Sequence, residues 1–541
     1  MRKKILLGLL FMLSMGITSA CGGNAPTEEV VLEELEVVEE AVAIEKTIQV
    51  ADGDDIFHIS MGVPTTLNPL WNEEESVDRI LRLIYQPLVQ LDASGKVVEG
   101  IATNWTHSSD GTYISLDLRS DIVWENGSSL TAYDVAYSLD TIALTGENSV
   151  YHSVLDYVSG YNVTGNNSIN IYFHESFSGN IVALQFPIIS KSYYGGSVSG
   201  DDAIQMKPMG SGPYMMESYT TASSMELVAN PYYADGPAHI SKISVNITNG
   251  NKTDVYAFDQ GMLDAVVMEA IGTGRYAKDE DIHIHSYATR KYDFAGFQFG
   301  NVLFQDKDMR KVFAYTLPRD YIKESIYLQY ADIAYTPVSS TSWLYEENTM
   351  NYAYDKQMAA TLLKNLGWSD LDGNGTLEDA EGNPLEISIL VNEENATRMQ
   401  IAKKWVEELQ LLGIAVTLDA QPFDVYSKRV ETGTFDIFLG GWEMSAAMDL
   451  YDFFGTEGQY NYIGYVDLEM EALIAEANVA VGEGATLLAY SDLQKKIAEE
   501  LPYISIAYRQ DALFLTNRIS GSVNPVVDDV YTGVANWVLA P

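Results

Sequence analysis

One twelve-residue segment, Asp370–Glu381, has the spacing of a calcium-binding loop. Side chains with acidic or amide oxygens recur along it, and Gly375 at the sixth position permits the sharp turn that such a loop requires. The predicted metal ligands are Asp370, Asp372, Asn374, Thr376 through its backbone carbonyl, Glu378 and Glu381. A polar Asp/Gly turn without metal has the same composition, so both interpretations stay open. A calcium ion here would be structural.

No set of residues has the spacing of a catalytic centre. The seven histidines are scattered. His283 and His285 share one face of a predicted strand, and two ligands are too few for a secure metal site. The sequence contains no Gly-x-Ser-x-Gly turn, no His-Glu-x-x-His helix and no phosphate-binding loop. We therefore predict a binding protein with no enzymatic activity and no required cofactor, and we rank an exported hydrolase far below it.

The only cysteine, Cys21, follows a secretory signal at residues 1–20. A short basic region precedes an apolar run, Ile5–Met15, that is too short to span a bilayer. Ala20 is the small residue expected before a lipoprotein cleavage site, whereas Thr18 departs from the usual aliphatic residue. We predict a lipid on Cys21 and anchoring to the outer face of the bacterial cytoplasmic membrane, the periplasmic side in a Gram-negative cell. Plain cleavage with a free thiol is the alternative.

Charge sets two further expectations. Residues 21–50 contain eight glutamates between Glu28 and Glu45, which predicts a solvated acidic tether, with a short interaction helix as the alternative. The chain has 76 acidic and 32 basic residues, for a net charge of −44. Binding of nucleic acid needs lysine and arginine to neutralise phosphates, so no nucleic-acid partner is expected.

The elements that position these residues are read from periodicity. Polar and apolar residues alternate over Tyr113–Leu118, which predicts a strand with one buried face between turns at Gly111 and Gly127. Thr131, with Asp134 three positions later, predicts a helix N-cap with a capping box. A helix over residues 355–366 precedes the candidate calcium loop, and a strand over 385–391 follows it. Residues 435–442 read as a buried strand that ends in a Gly-Gly-Trp turn.

Several short motifs recur in an order typical of one family. They include Trp-x-x-Gly before Leu-Thr-Ala-x-Asp-Val, a Gly-x-Gly-Pro-Tyr turn, and a helix with Asp-x-x-Arg spacing. The segments are Thr66–Leu70, Ile84–Leu88, Val98–Ser138, Pro208–Tyr214, Asn230–Tyr233, Asp306–Arg319, Tyr354–Trp368, Leu409–Leu418, Asn461–Tyr465 and Leu501–Tyr503. Over roughly residues 50–541 the chain resembles the extracellular solute-binding proteins of family 5, the oligopeptide-, dipeptide- and nickel-binding lipoproteins of ABC importers.

The resemblance implies an α/β, two-lobed fold of the periplasmic-binding-protein type, class II, of the large kind with an extra inserted subdomain. The ligand cleft would lie between the lobes. Lobe I would take residues 50–83, 205–295 and 512–541, the inserted subdomain residues 84–204, and lobe II residues 296–511. A monomer is expected, working with the permease subunits of an ABC transporter.

The resemblance also implies short peptides as ligand and places the site near Trp442. In the peptide-binding relatives an aspartate three residues after this tryptophan pairs with the ligand's ammonium group. Ser445 occupies that position here, so Glu443 or Asp449 would have to supply the charge. Trp442 itself is either a stacking platform or a core residue. A nickel chelate or an oligosaccharide is the alternative ligand, and a surface lipoprotein with a signalling or adhesion role is the alternative function.

Overall fold

The structure is a computed structural model that describes residues 54–196, 199–200, 202–276 and 279–540. The signal segment, the predicted lipidation site Cys21 and the acidic tether lie outside the described residues. Within the described ranges, no helix combines the length and the apolar character needed to cross a membrane.

Strands and helices alternate along the described chain. The strands are β1 Phe57–Met61, β2 Val89–Leu91, β3 Val97–Glu99, β4 Ala102–His107, β5 Tyr113–Leu118, β6 Val158–Gly165, β7 Ser168–Phe173, β8 Tyr214–Thr220, β9 Ser224–Ala229, β10 Lys242–Ile247, β11 Ala265–Glu269, β12 Ile282–Phe297, β13 Ala331–Ile333, β14 Glu386–Asn392, β15 Ala415–Gln421, β16 Ile437–Glu443, β17 Tyr503–Thr516, β18 Ile519–Ser520 and β19 Val538–Leu539. The α-helices are α1 Glu75–Leu81, α2 Ala132–Ile142, α3 Val154–Tyr157, α4 Lys191–Tyr194, α5 Asn251–Asp259, α6 Lys307–Thr316, α7 Arg319–Tyr321, α8 Lys356–Asn365, α9 Ala396–Gln410, α10 Phe423–Glu431, α11 Tyr451–Phe454, α12 Leu468–Val479 and α13 Glu483–Glu500.

Three larger sheets organise these strands. One has the order β1-β10-β9-β8, a second the order β4-β5-β7-β6, and the third the order β11-β17-β12-β16-β14-β15, with β13 paired to β17. In the third sheet β14 runs parallel to both β15 and β16, while β12 and β17 are antiparallel. Strands β2 and β3 form a separate hairpin.

The buried apolar residues form separate cores that define two lobes. Lobe I has one core, built from residues between 57 and 287 and from the C-terminal residues 513–537. Lobe II has two cores on opposite faces of the third sheet, built from residues between 292 and 508. Burial on both faces explains why the run before Trp442 is almost continuously apolar. The exact residue limits given above for the lobes and the inserted subdomain stay a prediction.

The long strands β12 and β17 connect the lobes. The first half of β12 and the second half of β17 contribute Tyr287 and Leu513 to the core of lobe I. The second half of β12 and the first half of β17 contribute Phe294 and Ile504 to the cores of lobe II. The pairing is regular from Ile282 to Ala288 and resumes at Tyr292 with a shifted register. Three residues of β12, 289–291, therefore lie opposite one residue of β17, which is a β-bulge at the point where the chain passes between the lobes.

The locally determined elements are confirmed. Strand β5 covers Tyr113–Leu118, with buried and more accessible residues alternating as predicted. The backbone N–H of Thr131 donates to Asp134 at 2.9 Å, which completes the capping box at the start of α2. Helix α8 and strand β14 flank the candidate calcium loop at the predicted places. The helix predicted from Asp306 ends earlier, at Thr316, because Leu317 is extended ahead of a proline.

The predicted Gly-Gly-Trp turn is wrong. Strand β16 continues through these residues to Glu443, and neither glycine has a positive φ. A Cβ at Gly440 would lie 2.8 Å from the ring of Phe294, and one at Gly441 would lie 2.6 Å from Asp293 Oδ1. The two glycines permit close approach of neighbouring side chains inside a sheet and do not reverse the chain.

Glu125, in the turn that ends at Gly127, has an unusual environment. Its Oε2 atom is buried and has no hydrogen-bond partner among the described residues. Burial raises the pKa of this carboxyl group to about 7, and the backbone hydrogen bond to Gly210 opposes that shift. The folded chain therefore binds the proton of Glu125 more tightly than the unfolded chain does.

Glu125→Gln is expected to stabilise the protein at pH 8. Because the pKa of Glu125 is higher in the folded chain, the protonated carboxyl group contributes to the free energy of unfolding. This contribution is complete below the unfolded pKa of 4.5 and is lost as the pH rises through about 7. We expect a gain of about 1–3 kcal/mol at pH 8, allowing for the partial exposure of the group, and none at pH 4. Urea unfolding at both pH values measures the effect, and exposed Glu147→Gln is the control. Equal effects of Glu125→Gln at both pH values would contradict this origin.

Candidate functional site

A cavity of about 740 Å³ lies between the two lobes. Lobe I contributes the turn between β2 and β3 and the first half of β12. Lobe II contributes the segment that follows β16 and a loop that ends at Leu344. The lining residues are 91–95, 284–290, 339, 341–344, 444–446, 448 and 523–528, with Asp332, Tyr508 and Gln510. The volume is in the range of sites that enclose a small organic ligand.

Few charged groups line this cavity. Arg290, in the bulge of β12, forms an ion pair with Asp528 of the C-terminal segment. Asp332 on β13 accepts a hydrogen bond from the amide of Gln510 at 3.0 Å. Asp92 holds the β2–β3 turn, since its Oδ1 accepts from the backbone N–H of Ser94 at 2.8 Å.

His285 also lines the cavity. Burial lowers its pKa, and the neighbouring His283 adds to the shift, so the imidazole is neutral at pH 7. Apolar and aromatic side chains make up much of the remaining wall, including Tyr287, Trp343 and Tyr508. Such a wall suits a ligand with both apolar and polar groups.

The lobes contact each other at the edge of the cavity. The backbone N–H of Trp343 in lobe II donates to the carbonyl of Ser94 in lobe I at 3.0 Å. Lys96 Nζ lies 2.8 Å from Glu483 Oε1, which joins the β2–β3 hairpin to the start of α13. Elsewhere at this edge, the backbone N–H of Ser178 donates to the carbonyl of Asn478 at 2.6 Å.

Gly179 permits a further close contact between the lobes, with Ala447. A Cβ at this position would lie 2.7 Å from Ala447 Cβ and 2.8 Å from the Ala447 carbonyl oxygen, closer than such atoms are normally found. The segment that contains Ser445 therefore packs against lobe I through two of the smallest residues available.

Of the four residues predicted to bind ligand, the structure brings only Ser445 to the cavity wall. Trp442 lies between the rings of Phe294 and Phe453, each with its centroid 4.0 Å away, which favours the core interpretation of this residue.

The remaining two lie away from the lining. Glu443 is exposed at the end of β16. Asp449 accepts hydrogen bonds from the backbone N–H of Tyr451 at 2.9 Å and from the amide of Asn478 at 3.1 Å. Neither carboxylate therefore replaces the missing charge at Ser445 in this arrangement.

The sequence did not point to the charged groups that do line the cavity. Asp92, Arg290, Asp332 and Asp528 belong to four separate elements, and only the tertiary fold brings them to one space. No motif connects them, and single aspartates carry little information in a chain with 76 acidic residues.

The candidate calcium loop is formed in part. Carboxylate oxygens of Asp370, Asp372 and Glu378 lie within 4.8 Å of one another, and Glu381 is outside this group. Asp370 accepts from the backbone N–H of Gly373 at 2.8 Å, so its oxygens also hold the turn. Three converging carboxylates match the hard oxygen ligands that calcium prefers, and they would form part of its coordination shell.

Calcium binding at this loop predicts a higher melting temperature in millimolar Ca²⁺ than in chelator, because a ligand that binds only the folded state stabilises it. The double variant Asp370→Asn with Asp372→Asn keeps oxygen acceptors for the turn and removes two charges, so we expect it to abolish the rise. Asp379→Asn, in the following turn outside the cluster, is the matched control. The same melting temperature of the unmodified chain in Ca²⁺ and in chelator would leave a metal-free turn.

Comparison with known proteins gives consistent matches over most of the chain. The profile of the bacterial extracellular solute-binding proteins, family 5 Middle, matches residues 96–461. The oligopeptide-binding protein AppA of Bacillus subtilis is 23% identical over 503 residues, covering 90% of this chain and 92% of AppA. The nickel-binding periplasmic protein of Escherichia coli is 21% identical over 452 residues, covering 79% of this chain and 84% of that protein.

The solved structures extend the likeness to the fold. The periplasmic murein tripeptide binding protein MppA, in its unliganded open form, matches with a TM-score of 0.77 at 15% identity, covering 91% of this chain and 98% of MppA. The predicted α/β fold with two lobes and a cleft between them is confirmed.

Proposed function

Since this chain belongs to the bacterial extracellular solute-binding proteins of family 5, we propose that it captures short peptides between its lobes and delivers them to the permease of an ABC importer. Proteins of this family bind solutes outside the cytoplasm for transport, and they are not enzymes. The predicted solute-binding role and the absence of enzymatic activity follow from membership. The peptide ligand, the permease and the membrane anchor are our proposal.

The cavity between the lobes carries this proposal. Its 740 Å³ are lined from both lobes, so a bound ligand contacts both at once and favours the closed state over an open one. The aromatic and apolar wall suits peptide side chains. The first half of β12 pairs with β17, whereas its pairing with β16 begins only at Lys291, so its other edge offers backbone groups for a peptide's amides. AppA, which covers most of this chain, is named as an oligopeptide-binding protein.

The test is to identify the ligand directly. Native mass spectrometry of the purified protein detects any molecule that remains bound, and calorimetry then measures binding of a tripeptide library, a nickel–histidine chelate and a set of oligosaccharides. We expect micromolar or tighter binding of a subset of the tripeptides. Binding of only the chelate or a sugar would replace the ligand class, and binding of none would favour a signalling or adhesion role.

A cavity variant gives that experiment its control. Ser286 lies on β12 and lines the cavity, so Ser286→Trp places an indole in the space that the peptide would take. We expect this variant to lose peptide binding. Ser241→Trp puts the same side chain at an exposed position outside the lining and should bind normally. Equal binding by both variants would place the peptide elsewhere on the molecule.

We further propose that Cys21 carries the lipid anchor. Its position at the end of the signal segment supports this, because acyl chains on this residue would supply affinity for the membrane. Cys21→Ala should release the protein into the medium or the periplasm, or leave it unprocessed. Fractionation of cells with immunoblotting measures this, and unchanged membrane retention of the variant would refute the anchor.

A further inference from the structure

We propose that the cavity selects peptides with a positively charged side chain, and that Asp332 and Asp92 are the residues that contact this charge. The proposal rests on the peptide-binding function given above and names the class of peptide. It is carried by the balance of charges in the cavity wall and by the position of each charged group.

The described residues that line the cavity hold three carboxylates and one guanidinium group. Arg290 pairs with Asp528, and these two charges compensate each other. His285 is neutral near pH 7, as described above. Two aspartates remain, so the cavity carries a net negative charge when it contains no ligand.

Neither of these aspartates has a cationic partner in the part of the chain that the structure describes. No lysine, arginine or histidine nitrogen lies within 4.0 Å of either carboxylate there. Lys96, in the hairpin of Asp92, pairs with Glu483, and Arg509, on β17 opposite the residue before Asp332, pairs with Asp293. Among the described residues, the Gln510 amide is the donor to Asp332, through Oδ2. Asp92 uses Oδ1 for donors of its own turn and leaves Oδ2 without a described donor.

Closure of the lobes increases the energetic cost of this excess negative charge. A carboxylate enclosed without a partner is costly, because it loses water and gains no compensating charge. A ligand that brings an ammonium or guanidinium group relieves this cost, whereas a ligand carboxylate adds to it. The preference for a cation is therefore strongest in the closed state, in which both lobes contact the ligand.

The aromatic wall reinforces the same choice. Trp343 lines the cavity and is positioned by its backbone hydrogen bond to Ser94, two residues from Asp92. An indole attracts a cation to its face and packs against the methylene groups of a lysine or arginine side chain. The acidic turn and the indole thus meet at the contact between the lobes.

Calorimetry in 150 mM salt with three tripeptides of matched size tests the proposal: Ala-Lys-Ala, Ala-Gln-Ala and Ala-Glu-Ala. We expect the lysine peptide to bind at least about tenfold more tightly than the glutamine peptide, and the glutamate peptide to bind least. Asp332→Asn and Asp92→Asn keep the hydrogen-bond acceptors and remove the charges. Each should weaken the lysine peptide about tenfold and change the glutamine peptide less than about threefold.

The controls separate the possible failures. Glu147→Gln removes a carboxylate that is exposed outside the cavity and should leave all three affinities unchanged. Unfolding midpoints show whether the asparagine variants are folded. Equal affinity for the three peptides, or equal weakening of all three by the asparagine variants, would overturn the selection of cations and leave peptide capture intact. Binding of no peptide would overturn both.

Discussion

Asp293→Ala is expected to lower the free energy of unfolding by about 3–5 kcal/mol, the cost of removing one partner from a buried ion pair. Asp293 is 2% exposed in lobe II. Its Oδ1 accepts from Arg398 Nε at 2.9 Å, its Oδ2 accepts from the hydroxyl of Tyr327 at 2.6 Å, and Arg509 Nε lies 3.2 Å from the same Oδ2. The alanine variant leaves two guanidinium groups without this carboxylate.

Urea unfolding monitored by circular dichroism measures the loss. Glu443→Gln is the control, since it changes an exposed carboxylate on the neighbouring strand β16 and should stay within about 0.5 kcal/mol of the unmodified chain. Gly441→Ala tests the same network from the other side, because a Cβ there meets Asp293 and Arg398. A loss below about 1 kcal/mol for Asp293→Ala would mean that solvent replaces the pair.

Gly179→Ala is expected to weaken ligand binding by about 5- to 150-fold. The added methyl group meets Ala447 across the cleft, and overpacking of this kind costs about 1–3 kcal/mol. It also lies 2.6 Å from the ring of Phe177 in its own segment, so a second part of the cost falls on the stability of lobe I and is the same with and without ligand. The backbone adds no strain, because Gly179 has φ −83° and ψ −2°, a conformation open to alanine.

Two measurements separate closure from folding. Small-angle X-ray scattering with saturating ligand gives the compaction on binding, and calorimetry gives the affinity; both should fall for Gly179→Ala. Gly160→Ala, on β6, is the matched control because an added Cβ there meets no atom within 4 Å. Unchanged affinity of the Gly179 variant would show that ligand binding does not require this contact between the lobes.

Elements set by local patterns were predictable from the sequence. Strand β5 follows from its two-residue period, and the start of α2 from Thr131 and Asp134, because both depend on neighbours along the chain. The turn at Gly440 and Gly441 was predicted wrongly for the opposite reason. Glycine is required at these two positions because the side chains of Phe294 and Asp293, which are remote in sequence, leave no space for a Cβ. In the sequence, glycine in a strand gives the same local signal as glycine in a turn.

The residues that line the cavity could likewise be predicted from the sequence only in part. A comparison with relatives pointed to the segment after Trp442, and Ser445 does reach the cavity. Arg290 and Asp332, in contrast, stand at the bulge of one strand and on a three-residue strand elsewhere. They come close because β12 and β13 both pair with β17 in one sheet. No spacing of residues in the sequence predicts that pairing.

The bulge at residues 289–291 has a consequence for the rate of solute capture. A hinge that concentrates its rotation in a few dihedral angles does not have to break the ladder on either side, so we expect opening and closing in microseconds to milliseconds. Encounter with a solute at micromolar concentration, at an ordinary association rate constant, takes longer than that. Collision rather than lobe movement then sets the pace of loading, and uptake should rise in proportion to the concentration of solute outside the cell.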